Sequence, residues 1–195
     1  MWLWCALRKS CCLRCSRPKD WTLDGLNDSK KLSPKRREAM NEKLQKLIYD
    51  KVITFHIVER DNITIDKDGV YPTLKSCYVE IFHKLYTPES LIIIDGNLKF
   101  DNLGVDDYDL HSEPKADGKY SAVMAASIIG KTYRDNQMKL LHDKFPQYGW
   151  NKNMGYPNPE HLKAIEKYGP CELHRFSYAP MKNIKNTNQV SFKDF

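Results

Sequence analysis

The sequence predicts an α/β fold. Three observations carry this expectation. Leu91-Ile92-Ile93-Ile94 is a short, mostly β-branched apolar run, as in a buried strand, and Asp95-Gly96-Asn97 stops it with residues that tolerate a sharp turn. Met40, Leu44, Leu47 and Ile48 recur at helical spacing, so one stripe of a helix faces a core. Segments of helical and strand character then alternate along the chain, which is the pattern of an α/β domain.

Residues 1–19 stand apart from that pattern. They hold Arg8, Lys9, Arg14, Arg17 and Lys19 without an acid, and four of the six cysteines. Trp2 to Leu7 is apolar but too short for a signal sequence, and its charges follow it instead of preceding it. Cys12-x-x-Cys15 has the spacing of a zinc ligand pair, but no second Cys/His pair lies at zinc-finger distance. Lacking strand alternation, 1–19 is expected to be an atypical, unordered N-terminal segment.

From Leu23 the chain becomes regular. Asn27 to Lys31 reads as a polar loop, and Ser33-Pro34 as an N-cap with proline at the first helical position of a helix reaching Tyr49. Val52–Val58 has strand composition. Ile63 and Ile65 lead into a second helix over about 70–85, Thr87-Pro88 turns, and the strand ending at Asp95 follows. Residues 98–113 are acidic and loop-like, with one further short strand. Residues 121–145 are helical, with a break expected at Arg134-Asp135, and a short helix from Pro159 stops at Gly169-Pro170. The tail 181–195 is polar, so the domain proper covers 20–180.

With 195 residues, 41% hydrophobic and 29% charged, the composition is that of one soluble globular domain. No apolar run approaches the roughly 20 residues of a membrane span. The net charge of +6 falls to +1 once residues 1–19 are set aside, so charge alone argues little for a nucleic-acid partner. Only Cys77 and Cys171 remain in the body, which excludes a disulfide framework there and favours a reducing, cytoplasmic setting.

Two carboxylates stand out. Ligand chemistry in open α/β sheets gathers beyond the carboxyl ends of strands, where Asp95 falls. Asp117 lies just before the long helical pattern and is free to fold back towards Asp95. Read alone, an Asp at a strand end such as Asp95 is more often a turn or capping residue than a ligand, and Asp117-Gly118 is an ordinary turn signal.

Several separated motifs change that balance. Asp28-Ser29-Lys30-Lys31-Leu32, Ile94-Asp95-Gly96-Asn97, Lys115-Ala116-Asp117-Gly118-Lys119 and Ala125-Ala126-Ser127-Ile128 resemble ribonuclease HII. So do Gly155-Tyr156-Pro157 and Gly169-Pro170 followed by His174-Arg175 and Ser177. The motifs stand in the family's order and cover about Leu23 to Pro180. The resemblance implies a ribonuclease H-like fold, a central mixed sheet flanked by helices with a helical C-terminal part, and cleavage of the RNA strand of RNA–DNA hybrids, including single ribonucleotides in duplex DNA. It also implies a monomer.

The chemistry implied is hydrolysis assisted by Mn²⁺ or Mg²⁺ held by clustered carboxylates, two ions clamping the attacking and leaving oxygens. The family supplies four such carboxylates, and Asp95 and Asp117 match the third and fourth. The first two belong to an Asp-Glu-x-Gly-Arg-Gly motif that this sequence does not contain. Asp20 and Asp24 are the nearest acids, but neither has the motif around it. A truncated gene start, a shifted reading frame or a mis-assigned initiation site would each give this pattern. Asp135 ranks below Asp117, because an Arg-Asp pair inside a helix is more often a salt-bridged structural feature.

The resemblance further assigns Lys30 and Lys31 to backbone phosphates and Tyr156 to the ribose at the RNA–DNA junction. Met154 stands where the family has a basic residue. Arg175 either meets a phosphate or holds the sheet's edge. Two competing expectations remain. One is a catalytically inactive, truncated hybrid-binding protein, with an exposed sheet edge and reduced solubility. The other is a zinc-binding module over Cys5 to Cys15.

Overall fold

The structure, a computed structural model, describes residues 8–15, 21–179 and 181–184. Its elements in order are β1 (Arg8–Cys15), α1 (Pro34–Tyr49), β2 (Ile53–Arg60), α2 (Asn62–Asp68), α3 (Val70–Leu85), β3 (Leu91–Asp95) and β4 (Asp109–Glu113). A 3₁₀ turn at Ala116–Gly118, α4 (Ser121–Lys144), a second 3₁₀ turn at Pro146–Tyr148, α5 (Trp150–Asn153), α6 (Pro159–Tyr168) and α7 (Met181–Ile184) complete the chain. No helix among the described residues is long and apolar enough to cross a membrane.

The chain expected to form one domain over 20–180 divides into two compact units. One comprises residues 9–59 and 74–137, here the sheet unit. The other comprises 60–73 and everything from Met138 onwards, with residues 1–8, here the helical unit.

In the sheet unit, α1 starts as its sequence dictates. The Ser33 hydroxyl accepts the Arg36 N–H at 3.4 Å, and Pro34 sits at N1, where its missing N–H costs nothing. It ends in a Schellman motif. Lys51 turns left-handed (φ 56°), the Lys51 N–H reaches Ile48 O at 3.0 Å, and the Val52 N–H reaches Leu47 O at 2.9 Å. Between these ends Met40 and Leu44 are buried and pack with Ile53, Ala125, Ile128 and Ile129, so α1, β2 and α4 share one core. A second core joins α3 to β3 through Phe82, Ile94, Phe100 and Val105, with the rings of Phe82 and Phe100 5.5 Å apart edge to face.

The strands pair as two two-stranded ladders among the described residues, β1 with β2 and β3 with β4. β3 and β4 run parallel in a register that places Asp95 opposite Glu113. Ile94 is fully buried, whereas Leu91, Ile92 and Ile93 are only half-buried. β4 is the short strand expected somewhere in 98–113.

Two local expectations are corrected. Residues 8–15, expected to be unordered, form a strand. Strand formation there follows from backbone pairing with β2, which needs no alternating side chains. The remaining residues of 1–19 lie outside the described residues, as does the zinc expectation that depends on their side chains. Second, α4 runs unbroken through Arg134-Asp135. Its buried positions Ala125, Ile128, Thr132 and Asp135 continue one stripe at helical spacing, because the buried Asp135 is paired and can stay in it.

In the helical unit, Met138, Tyr148, Trp150, Ile165, Cys171 and Met181 form a single core. Its α6 is capped by Asn158, whose side chain accepts the His161 N–H at 2.8 Å, with Pro159 at N1. α7, a single helical turn, begins the segment expected to be a polar tail. Residues 185–195 lie outside the described residues.

Candidate active site

Asp95 is the last residue of β3 and is exposed. Gly96 follows at φ 116°, a conformation closed to L side chains, and its N–H bonds to Glu113 O at 3.0 Å. That turn stops the strand and leaves the carboxylate at its carboxyl end. Asp95 Oδ1 accepts the backbone N–H of Ala116 at 3.0 Å, tying β3 to the 3₁₀ turn that carries Asp117. Lys115, held left-handed at φ 64°, opens that turn, and Ala116 and Asp117 are both buried. The sequence expectation that Asp117 folds back towards Asp95 describes this arrangement.

Lys30 completes the group. Its Nζ donates to Asp117 Oδ2 at 2.6 Å, with the lysine side chain half exposed and the carboxylate 8% exposed. The hydrogen bond to Asp117 raises the Lys30 pKa above its ordinary value against partial burial, and the charges of Asp117, Asp28 and Asp95 add to it. Lys30, expected to face phosphates, holds the Asp117 carboxylate here while its side chain stays half exposed. Lys31 is exposed on the same loop.

The loop itself is clamped from two sides. Ser29 Oγ and Ser127 Oγ, from the Ala-rich start of α4, are 2.8 Å apart. Arg37 Nη1 donates to Ser29 O at 3.3 Å and Leu32 O at 3.5 Å, while its Nη2 pairs with Asp135 at 3.1 Å. Asp135 is thus engaged in structure, as its helical context implies. Arg37 went unnoticed in the sequence, although it stands one step before Met40 and Leu44 on the buried stripe of α1.

Glu113 is the other acid at this end of the sheet. Lys119 Nζ and Tyr120 Oη (2.9 Å) both donate to it. Those hydrogen bonds, Lys119 first, hold its pKa below the ordinary value. Among the described residues no three His, Cys, Asp or Glu side chains gather closely enough to hold a metal ion.

The remaining expected site residues belong to the helical unit. Tyr156 is half-buried in the loop between α5 and α6. Arg175 is buried, with its guanidinium 4.2 Å above the Tyr178 ring, so it packs within the unit. Ser177 and the Phe176 N–H (2.7 Å) both bind the Asp66 carboxylate of α2, which makes this end of the C-terminal motif a structural clasp. His174 forms a buried cluster with His161, Trp150 and Cys171.

The family profile described as Ribonuclease HII matches residues 11–181. The chain belongs to the ribonuclease HII family. It is 37% identical over 174 residues to a ribonuclease HII of Oceanobacillus iheyensis, a match covering 89% of this chain and 64% of that protein. It spans 54 to 64% of three such curated relatives, and 86% of a ribonuclease HII of Francisella tularensis subsp. mediasiatica to which it is 36% identical. The fold is similar to that of ribonuclease HII in a complex with PCNA from Archaeoglobus fulgidus. The TM-score is 0.68 and the identity 26%, over 94% of this chain and 90% of that one. A Bst-RNase HIII solved in complex with Mn²⁺ shares the fold at a TM-score of 0.62 and 20% identity, covering 83% and 58% of the two chains. A ribonuclease H-type fold is therefore common to the family and to this chain.

Proposed function

We propose that this ribonuclease HII family member is an endoribonuclease. It cleaves the RNA strand of RNA–DNA hybrids and ribonucleotides embedded in duplex DNA, acting as a monomer in the cytoplasm. The observation that carries the reading is the meeting of Asp95, Asp117 and Lys30 beyond the carboxyl end of β3. In the proposed reaction a water oxygen bonds to phosphorus and the bond to the 3′-oxygen breaks, leaving a 3′-hydroxyl and a 5′-phosphate.

The donor set suits one hard divalent ion, Mg²⁺ or Mn²⁺. Asp95 has one oxygen committed to the Ala116 N–H and is exposed, and magnesium is commonly held by one or two carboxylates plus water and substrate phosphate. Asp95 and Asp117 would hold it. A two-ion clamp asks for more carboxylates than the described residues bring together. When bound, such an ion offsets charge on the phosphate oxygens and acidifies a water. Lys30 holds Asp117 aimed through their hydrogen bond, and supplies a cation beside the incoming phosphate. Lys31, exposed on the same loop, meets a neighbouring phosphate. Tyr156 lays its ring against the ribose, where a 2′-hydroxyl distinguishes RNA from DNA.

A second reading, binding of hybrids without cleavage, is favoured by the two-carboxylate count. Cleavage of a DNA duplex containing one ribonucleotide, with Mg²⁺ or Mn²⁺, separates the two. Cleavage by the wild-type chain that is lost in Asp95→Asn supports the enzyme. Binding without cleavage in both ions supports the second reading and refutes the first.

A further inference from the structure

The buried histidines of the helical unit have no part in the reaction above, yet their protons are fixed with unusual completeness. The Trp150 indole N–H can only donate, and it lies 3.1 Å from His161 Nε2. That nitrogen therefore accepts, and the His161 proton sits on Nδ1, 3.0 Å from the Tyr156 carbonyl. The Cys171 backbone N–H meets His174 Nδ1 at 3.0 Å, so the His174 proton sits on Nε2, facing His161 Nε2 at 3.4 Å. A proton on His174 Nδ1 would instead face the Cys171 carbonyl at 3.3 Å and leave the Cys171 N–H opposed to a donor. This is the one pair of neutral tautomers that sets no two donors against each other, the Trp150 and His174 N–H groups sharing the lone pair of His161 Nε2. Burial keeps both rings neutral, pushing His174 down to about 4 with help from the neighbouring His161.

Each end of this chain is anchored. Asn62 Nδ2 donates to the carbonyls of Glu172 at 2.7 Å and His174 at 3.1 Å. At the other end the loop turns left-handed at Met154 (φ 51°) and Gly155 (φ 75°), and Asn153 takes the Gly155 N–H on Oδ1 at 2.8 Å and the Tyr156 N–H on its carbonyl at 2.9 Å. With its N–H held by Asn153 and its C=O held by both the Asn158 N–H at 2.8 Å and His161, Tyr156 is fixed on both sides of its Cα, which sets the direction in which its side chain leaves the backbone.

We infer that His161 is a positioning residue for Tyr156, and so for ribose discrimination, with Trp150 and His174 fixing the tautomer that reaches the Tyr156 carbonyl. The inference rests on the reading of Tyr156 as the group that meets the ribose. Asparagine places its amide N–H where His161 has Nδ1–H and so keeps the bond to Tyr156. Glutamine places its amide where Nε2 lies and loses it.

The test is binding, without cleavage, of a labelled DNA duplex containing one ribonucleotide against the all-DNA duplex of the same sequence, in EDTA. His161→Gln should reduce the preference about fivefold, the size of one hydrogen bond from a carbonyl that keeps its Asn158 N–H, while His161→Asn keeps it. In a Tyr156→Ala background, His161→Gln should change the preference less than twofold, because the effect acts through that ring. Equal losses in both backgrounds, or equal losses from Asn and Gln, would overturn the inference. Failure of the parent reading looks different, since the wild-type chain would then show no preference, or Tyr156→Ala would leave it intact. In that case the Tyr156 ring resonances decide, and they must broaden in His161→Gln alone. Long-range ¹H–¹⁵N spectra of the unmodified chain near pH 7 should show His161 protonated on Nδ1 and His174 on Nε2. The opposite tautomers would also overturn it.

Discussion

Removing the carboxylate of Asp135 should damage the fold more than removing the arginine that faces it. Asp135 is buried among three cations: Arg37 at 3.1 Å, Lys131 at 3.3 Å and Arg134 at 3.5 Å. Burial already lowers the Lys131 pKa, against the pull of Asp135 and with the repulsion of Arg37 and Arg134. Asp135→Ala therefore leaves three positive groups without their common anion. Stranding one side of a buried ion pair costs about 3–5 kcal/mol. Arg37→Ala leaves Asp135 still paired with two cations and removes donors from the carbonyls of Ser29 and Leu32. At about 0.5–1.5 kcal/mol for each such bond, its cost is about 1–3 kcal/mol. Urea unfolding followed by tryptophan fluorescence reads both values, provided the m value is unchanged. The double variant Arg37→Met/Asp135→Leu should lose less than the sum, since the buried guanidinium leaves together with its anion and only the Lys131 and Arg134 contacts are lost. A cost for Asp135→Ala within about 1 kcal/mol of zero, or a larger cost for Arg37→Ala, would refute this account. So would loss of Mn²⁺ binding in folded Asp135→Asn, which would make Asp135 a metal ligand.

Three further outcomes follow from the geometry. His174 titrates near its ordinary 6.5 when unfolded but at about 4 when folded, so its contribution is complete above pH 6.5 and is lost as pH falls to about 4. That loss is roughly 3 kcal/mol, and His174→Asn, which keeps an acceptor for the Cys171 N–H, should flatten this part of a stability–pH curve measured by urea midpoints. Gly96→Ala meets no atom within 4 Å of the new Cβ, so its cost is backbone strain at φ 116°, about 1–3 kcal/mol by the same unfolding assay, and a neutral result would show that the turn relaxes. Lys30→Ala removes the cation on Asp117 and should tighten Mn²⁺ binding in an electron-spin-resonance titration while weakening duplex binding; weaker Mn²⁺ binding would contradict the proposed ligand set.

How much of this was legible beforehand depends on where each partner lies along the chain. α1, α3 and α6 could be bounded to within a residue because their stops are local: Ser33-Pro34, the Gly69 turn, Asn158-Pro159 and Gly169 act within a few positions of themselves. β4 could not be placed, since Asp-Leu-His-Ser-Glu has no strand character of its own and becomes a strand by pairing with β3. The break expected at Arg134-Asp135 is the same failure seen from the other side. A charged pair in a helix looks like an interruption until Arg37, 98 residues earlier, is brought against it.

The site divides along the same line. Asp95 was legible from its strand and Asp117 from its motif, but the bond from Lys30 to Asp117 spans 87 residues and leaves no periodic trace. His174 stood in a quoted motif without a role, and His161 was passed over, although its spacing from Ile165 on the buried face of α6 marks it as inward-facing. Periodicity therefore reports that a polar residue is buried, and chemistry requires that it be satisfied, but neither names the partner. For Arg37 and His161 that combination marks both residues as buried and bonded, yet neither was singled out from sequence. Such polar positions on apolar stripes are where a reading of this chain should look first for groups that hold its functional loops in place.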